Sequence, residues 1–338
     1  MASPPIYFYL PQPYFPKRLP ASAAENWPGF GLGLHAWTLQ TYLRLKEEGF
    51  PCQLVDRLPS EGIVLLHHNA LRVHQKPVKP SPKLLLICIK AEGDWYPYAQ
   101  LHVVQNPAAA NPRNGWHYLP HWTQPGLIPR CQRRGDRLET IAYFGHTANL
   151  APELQSPSWE RQLAALGLRW QPIINHNRWD DFQQVDSRWH DYSQIDAIVA
   201  VRRFHTREKW DDKPATKLYN AWLAGVPALL GVESAYRSEG TDQVNYLEVT
   251  SLKHLLTTLQ QLQTDLPLHH ALVKNGAWQA QSFLPAKITQ KWREFLLEIA
   301  VPAFSDWVSL SNCRQRMILE KNFLLFLGQK VKSKVLPR

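Results

Sequence analysis

The sequence predicts an α/β protein of two domains, each an open parallel sheet flanked by helices. Three observations lead there. The chain has 338 residues, long for one compact core. Strand-like and helix-like segments alternate along it in two successive series. The strand segments, such as KLLLICI at 83–89, are apolar throughout, as strands covered on both faces are.

The first series opens with IYFYL (6–10), a β-rich run closed by Pro11. The Gly-rich loop PGFGLGLHAW (28–37) follows. From Leu34 apolar residues recur at helical spacing until Gly49. PCQLVDRL, GIVLLHHN, KLLLICIKAEG, LHVVQN and GWHYLPHW supply strands two to six. PGLIPRCQRRGDRLE (125–139) has Pro, Gly, clustered charge and no periodicity, and reads as a linker. The first domain is therefore placed at 1–137.

The second series begins with the strand TIAYFG (140–145), then the helix SWERQLAALG with Ser158 as its cap. RWQPII is the next strand. WHDYSQIDAIVAVR holds a short helix and the strand DAIVAVR. NAWLAGVPALLG is a buried helix running into a strand, broken by Gly225 at the C-cap and Pro227 beyond it. QVNYLEV is a strand, and SLKHLLTTLQQLQ a helix capped by Ser251. The second domain is placed at 138–305, and a final helix with a basic tail at 306–338.

Composition bounds the function classes. The 14 Trp and the 20% charged residues exclude a disordered chain. No run approaches a membrane span, and the N-terminus lacks a secretory layout. The four Cys form no CxxC pair, which predicts a reducing, cytoplasmic setting and neither zinc nor a disulfide framework. The net charge of +10 is uneven: +7 over 1–137, −3 over 138–313 and +6 over 314–338. A nucleic-acid binder would share that balance, but no recognition motif accompanies it. An anionic membrane surface is the favoured reading. The tail MILEKNFLLFLGQKVKSKVLPR (317–338) joins an apolar cluster to basic residues, which reads as interfacial binding or as a helix packed back on the first domain.

Two open α/β domains joined by one linker bind ligand between them, outside the carboxyl ends of the strands. DKPATKL (212–218) falls there, between DAIVAVR and the helix NAWLAGVP. Unpaired N–H groups and the helix dipole favour an anion. Arg202, Arg203, Lys213 and Lys217 add cations and Thr216 a hydroxyl, so the stretch suits a diphosphate; the competing reading is a solvated helix start. FGHTANL (144–150) ends the first strand of the same domain. Gly145 allows close approach, and His146, Thr147 and Asn149 offer hydrogen bonds; an ordinary polar turn is the alternative. Glu233 and Ser234 stand at another carboxyl strand end and face the same cleft.

These stretches resemble the GT-B glycosyltransferases, two Rossmann-like domains facing each other across a cleft, which use nucleotide-sugar donors. Many carry a Glu, seven residues, then a Glu opening a helix of the type EAMAxGxP. Here Asp212 takes the first place and Asn220, in NAWLAGVP, the second. The resemblance implies that Asp212 contacts the donor sugar, and that Asn220, an uncharged departure, bonds the ribose. It assigns the diphosphate to Lys213 or Lys217 and a donor contact to Glu233. On the acceptor side it points to the loop at Gly31 and Gly33, and to His35 as general base, with His67 and His68 as competitors and Asp94 a weaker candidate. The implied function is sugar transfer to an acceptor hydroxyl, on a glycan or a lipid-linked or membrane-proximal acceptor, with no obligatory metal or cofactor and no nucleic-acid partner. Asp180-Asp181 and Asp211-Asp212 are adjacent pairs, not a spaced metal-binding dyad. The alternatives are another nucleotide-binding α/β enzyme, an epimerase or dehydrogenase, and a non-catalytic basic binding protein. Gly29, Gly31 and Gly33 alternate and do not form the dinucleotide fingerprint.

Overall fold

A computed structural model describes residues 3–176 and 185–335, with side chains to residue 332. The Asp180-Asp181 pair lies outside them.

The apolar runs of the first half become β1 (Ile6–Tyr9), β2 (Gln53–Val55), β3 (Gly62–His67), β4 (Leu84–Ile89), β5 (Leu101–Val104) and β6 (Trp116–Tyr118). They form one parallel sheet in the order β2-β1-β3-β4-β5-β6. β3 and β4 are buried along their whole length. That burial is why these strands alternate nothing: helices and loops cover both faces. The helix expected from Leu34 begins as a π-helical turn, His35–Leu39, and continues as α1 (Gln40–Glu47).

The second sheet holds β7 (Thr140–Gly145), β8 (Arg169–Ile174), β9 (Ala197–Ala200), β10 (Ala228–Leu230) and β11 (Leu247–Glu248), again all parallel, in the order β11-β10-β9-β7-β8. Its helices are α2 (Pro157–Ala165), α3 (Thr216–Ala224), α4 (Ser234–Glu239), α5 (Leu252–Thr264) and α6 (Leu266–Ala280). In both sheets the winding reverses beside the first strand, so each has its switch point at the carboxyl end of β1 or β7. This is the expected architecture of two Rossmann-like α/β domains.

Some details differ from the sequence reading. The cap of α2 is Ser156, whose Oγ accepts from Trp159 N–H; Pro157 then occupies the first helical position, and Ser158 lies inside the helix. The short helix expected before β9 is absent among the described residues, where residues 187–190 form turns. The linker is tied down rather than free. Arg130 and Arg134 both reach the fully buried Asp196 carboxylate, at 2.8 and 2.6 Å, and the Glu139 and Thr140 N–H groups donate to the same side chain.

The second core runs from Leu138 to Phe283. After it come α7 (Pro285–Glu294), α8 (Val301–Ser309) and α9 (Asn312–Val335). Ile288, Trp292, Leu296 and Trp307 are buried in the core of the first domain. The chain therefore returns to the first domain well before residue 305, where the sequence places the end of the second. An amphipathic pattern announces that a helix is buried but not against which sheet.

Candidate functional site

The two domains meet through side chains at the carboxyl ends of their strands. Gln105 Nε2 donates to the Asp212 carbonyl at 2.8 Å, and Asn106 Nδ2 to Ser234 Oγ at 2.9 Å. Tyr118 OH donates to the Glu239 carboxylate and lies 3.1 Å from Tyr219 OH. Lys213 pairs with Glu92, just past the end of β4. Two non-glycine residues beside that pair have left-handed backbones, Ala91 at φ 46° and Trp210 at φ 56°, a strain that marks cleft loops held by contacts on both sides.

On the second-domain side, α3 opens with no side-chain cap, because its N-cap is Ala215. Leu218 N–H turns back to the Ala215 carbonyl at 2.9 Å, which leaves the Thr216 and Lys217 N–H groups at the positive end of the helix dipole. Lys217, in that turn, lies over the Tyr143 ring at 5.7 Å. A Cβ on Gly145 would stand 2.7 Å from Tyr143 OH and 3.5 Å from Lys217 Cε, and Gly145 has φ +150°. Glycine is thus required both by the backbone and by the close approach. Burial drives the Lys217 ammonium down to about 8, helped by the nearby Arg202. Arg202 donates from Nε to Glu233 Oε1 at 3.0 Å and bonds Asn149 Oδ1. Burial pulls the Arg202 guanidinium down, but Glu233 outweighs it and holds it above its usual range. Burial raises the Glu233 carboxyl against the pull of Arg202 and Lys217, and its Oε2 is buried without a partner. His146 is lowered by burial, with Lys217 acting in the same direction.

Of the residues singled out in the sequence, Gly145, His146, Asn149, Arg202, Lys217 and Glu233 thus come together. Thr216 starts α3 beside them, and Thr147 is exposed on the turn after Gly145. Others are used differently. Lys213 is engaged by Glu92 and lies 3.8 Å from Asp212. Asp212 contributes its backbone carbonyl to the domain contact, while its side chain is 40% exposed. Asn220 does not face the cleft: its Oδ1 accepts from Gln124 N–H at 2.9 Å, and its side chain bonds Tyr192. It pins the linker region to α3. Ser234 is taken by Asn106.

The acceptor-side histidines sort by their ring nitrogens. His35 is buried with Nδ1 3.1 Å from the Gly29 carbonyl and Nε2 2.8 Å from the Tyr14 carbonyl, so both nitrogens face acceptors. Gly31 closes a short 3-10 turn ahead of it, and Gly33 precedes the helix with an ordinary backbone. His67 accepts at Nδ1 from Asn69 N–H. Burial, with charge from His68, His121, Arg72 and His35, drives it to about 3. It stays neutral, with Nε2 protonated and buried without a partner. His68 packs so closely on Gly93 that a Cβ there would sit 2.5 Å from its ring.

The sequence reading missed His121 and Glu92. His121 Nδ1–H donates to the Trp122 carbonyl at 2.7 Å, which leaves Nε2 as an acceptor. Burial lowers its pKa, opposed by the Trp122 carbonyl and by Glu92. Glu92 acts electrostatically on Lys217, Arg202 and His146 of the second domain as well. Its signal was available: it follows a strand's carboxyl end directly, the rule that selected Glu233.

Among the described residues no group of three or more His, Cys, Asp or Glu could hold a metal ion, and no helix is long and apolar enough to cross a membrane.

No protein-family model matches the chain, and no curated protein matches it. Solved structures do align with it. Anabaena HepE in complex with UDP-glucose is 13% identical, covering 88% of this chain and 100% of that one, with a TM-score of 0.47. AviGT4, a glycosyltransferase involved in avilamycin A biosynthesis, is 12% identical over 91% and 99% of the two chains, at 0.49. WaaG, a glycosyltransferase involved in lipopolysaccharide biosynthesis, is 12% identical over 86% and 99%, at 0.46. Likeness at this identity concerns the fold alone; the chain's own topology is two parallel α/β sheets that meet at the carboxyl ends of their strands.

Proposed function

We propose that the protein is a glycosyltransferase that takes a nucleotide-sugar donor and moves its sugar to an acceptor hydroxyl. The observation that carries this reading is the convergence of Lys217, Arg202 and the uncapped N-terminus of α3 at Gly145. Such a site suits a diphosphate. The α3 N–H groups and Lys217 take its oxygens and stabilise the charge that develops on the leaving group. Arg202, already neutralised by Glu233, serves to orient, and the unpartnered Glu233 Oε2 is an acceptor for a donor hydroxyl. Across the cleft, His121 Nε2 takes the acceptor proton. Lys213 is held by Glu92 and becomes available to phosphate only as that pair opens.

We further propose that the acceptor lies at an anionic membrane. Met317, Leu324 and Val331 recur every seven residues along α9 and are 64%, 67% and 61% exposed, and Lys321, Lys332 and one acid, Glu320, lie on the same face as Met317 and Leu324. An apolar stripe edged by cations supports interfacial docking.

The experiment is a thermal-shift and hydrolysis screen with UDP, GDP and their sugars. A donor that binds the folded state raises its melting temperature. Absence of any shift or hydrolysis with the whole panel refutes the reading.

A further inference from the structure

A second cavity lies between α9 and the connection from β5 to β6, with a volume of about 800 Å³. That is within the size range of small-molecule sites, roughly 300–1,000 Å³. Trp95, His102 and Trp116 line it as one aromatic group, with ring centroids 5.6 to 6.4 Å apart. Asn111, Arg113, Asn114, Lys321 and Gln329 add amides and two cations, and among the described residues no carboxylate lines the cavity. Neither Arg113 nor Lys321 has an ion pair among the described residues.

The wall contributed by α9 is anchored. Phe323 stacks on Tyr98 at 5.7 Å, Phe326 meets Trp95 edge-on at 5.6 Å, Trp95 Nε1 donates to Gln329 Oε1 at 2.7 Å, and Lys330 pairs with Asp94. The groove is lined by the first domain and α9 and borders the contact between the domains. Its residues Ala108 and Ala109 follow Asn106, which bonds Ser234, the neighbour of Glu233.

We infer that this groove is an acceptor subsite for the internal residues of an anionic oligosaccharide. The inference rests on the transferase reading of the cleft. Sugar rings present apolar C–H faces to aromatic planes and hydroxyl edges to amides. Acidic substituents pair with Arg113 and Lys321. A chain lying here would run beside the buried Asn106 contact that joins the two domains. Single-stranded nucleic acid also combines stacking with cations, but it calls for a cationic track along its backbone, and this groove has two cations among mostly amide and aromatic groups.

The test is calorimetry of the full chain with oligogalacturonate, a hyaluronan tetrasaccharide, the neutral cello-oligosaccharides and a thymidine decamer. At least one acidic oligosaccharide binds, about tenfold more tightly than the neutral ones. The double variant Arg113→Ala/Lys321→Ala weakens it by about tenfold or more, the scale of a charge-assisted hydrogen bond. Both side chains are exposed, and circular dichroism checks that the variant is folded. Absence of oligosaccharide binding, equal binding of acidic and neutral sugars, indifference to the double variant, or tighter binding of the decamer overturns the inference. Nucleotide titration of the same wild-type sample reports separately. Nucleotide binding without oligosaccharide binding removes the groove alone, and the reverse removes the transferase reading.

Discussion

Lys217 offers a test in which stability and ligand binding move in opposite directions. Its ammonium sits at about 8 instead of the ordinary 10.5. At about 1.4 kcal/mol per pH unit, keeping it charged in the folded state costs about 3 kcal/mol. The residue as a whole is only half-buried, and solvent screening lowers this to about 2 kcal/mol. Lys217→Met keeps the stem against Tyr143 and removes the charge. It should raise stability by that amount at pH 7. The sign with pH follows from linkage. Between pH 8 and 10.5 the unfolded chain holds a proton that the folded one has lost, so wild-type stability rises there. The penalty is complete below pH 8 and gone above 10.5, and the gain of the variant shrinks over the same window. Urea unfolding of both proteins at pH 7, 8.5 and 10 reads this directly. A destabilised variant, or a gain that does not change with pH, would refute the argument that this lysine is a strained cation kept for an anion.

Asp196→Asn leaves two arginines facing a neutral amide and should cost about 3 kcal/mol or more, the scale of a broken buried ion pair; denaturant midpoints measure it. Burial alone would raise that carboxyl, but the Arg134 pair, the Thr140 and Glu139 N–H groups and Arg130 hold it below its usual range. Its stabilisation is therefore present above the unfolded carboxylate value and lost as pH falls. On the acceptor side, His121→Asn should lower transfer by about 10²–10⁴, whereas a comparable loss from His35→Asn and none from His121→Asn would return the base to His35. Replacing Met317, Leu324 and Val331 together by Ser should reduce flotation with anionic liposomes at low salt; unchanged flotation would mean that α9 is only a packed wall.

The strands were legible because a covered parallel strand is apolar at every position, as β3 and β4 are. That Gly145 and Lys217 lie at one strand end and one helix start was legible because both features are local in sequence. What the sequence could not separate was Lys213 from Lys217, since the decision comes from Glu92 in the other domain. Asn220 matched a spacing, but its amide is turned inward by Gln124 and Tyr192, partners 96 and 28 residues away. His121 carries no local mark: its proposed role rests on the Trp122 carbonyl fixing which ring nitrogen holds the proton. The early return of the chain at Ile288 was hidden for a related reason. A helix's apolar face is written in its own residues, while its partner surface is not.

The central claim is that a nucleotide diphosphate binds at Gly145 and Lys217. Calorimetric titration of UDP and GDP into the wild-type protein and into Lys217→Met, at pH 7 and at pH 9, tests it most directly. The account predicts binding of at least one nucleotide to the wild type, weakened at least tenfold in the variant, the scale of one charge-assisted hydrogen bond. It also predicts weaker wild-type binding at pH 9, because the free lysine is then largely neutral and must take up a proton to hold the phosphate. Nucleotide binding that is equal in wild type and variant, and flat across this pH range, would contradict it.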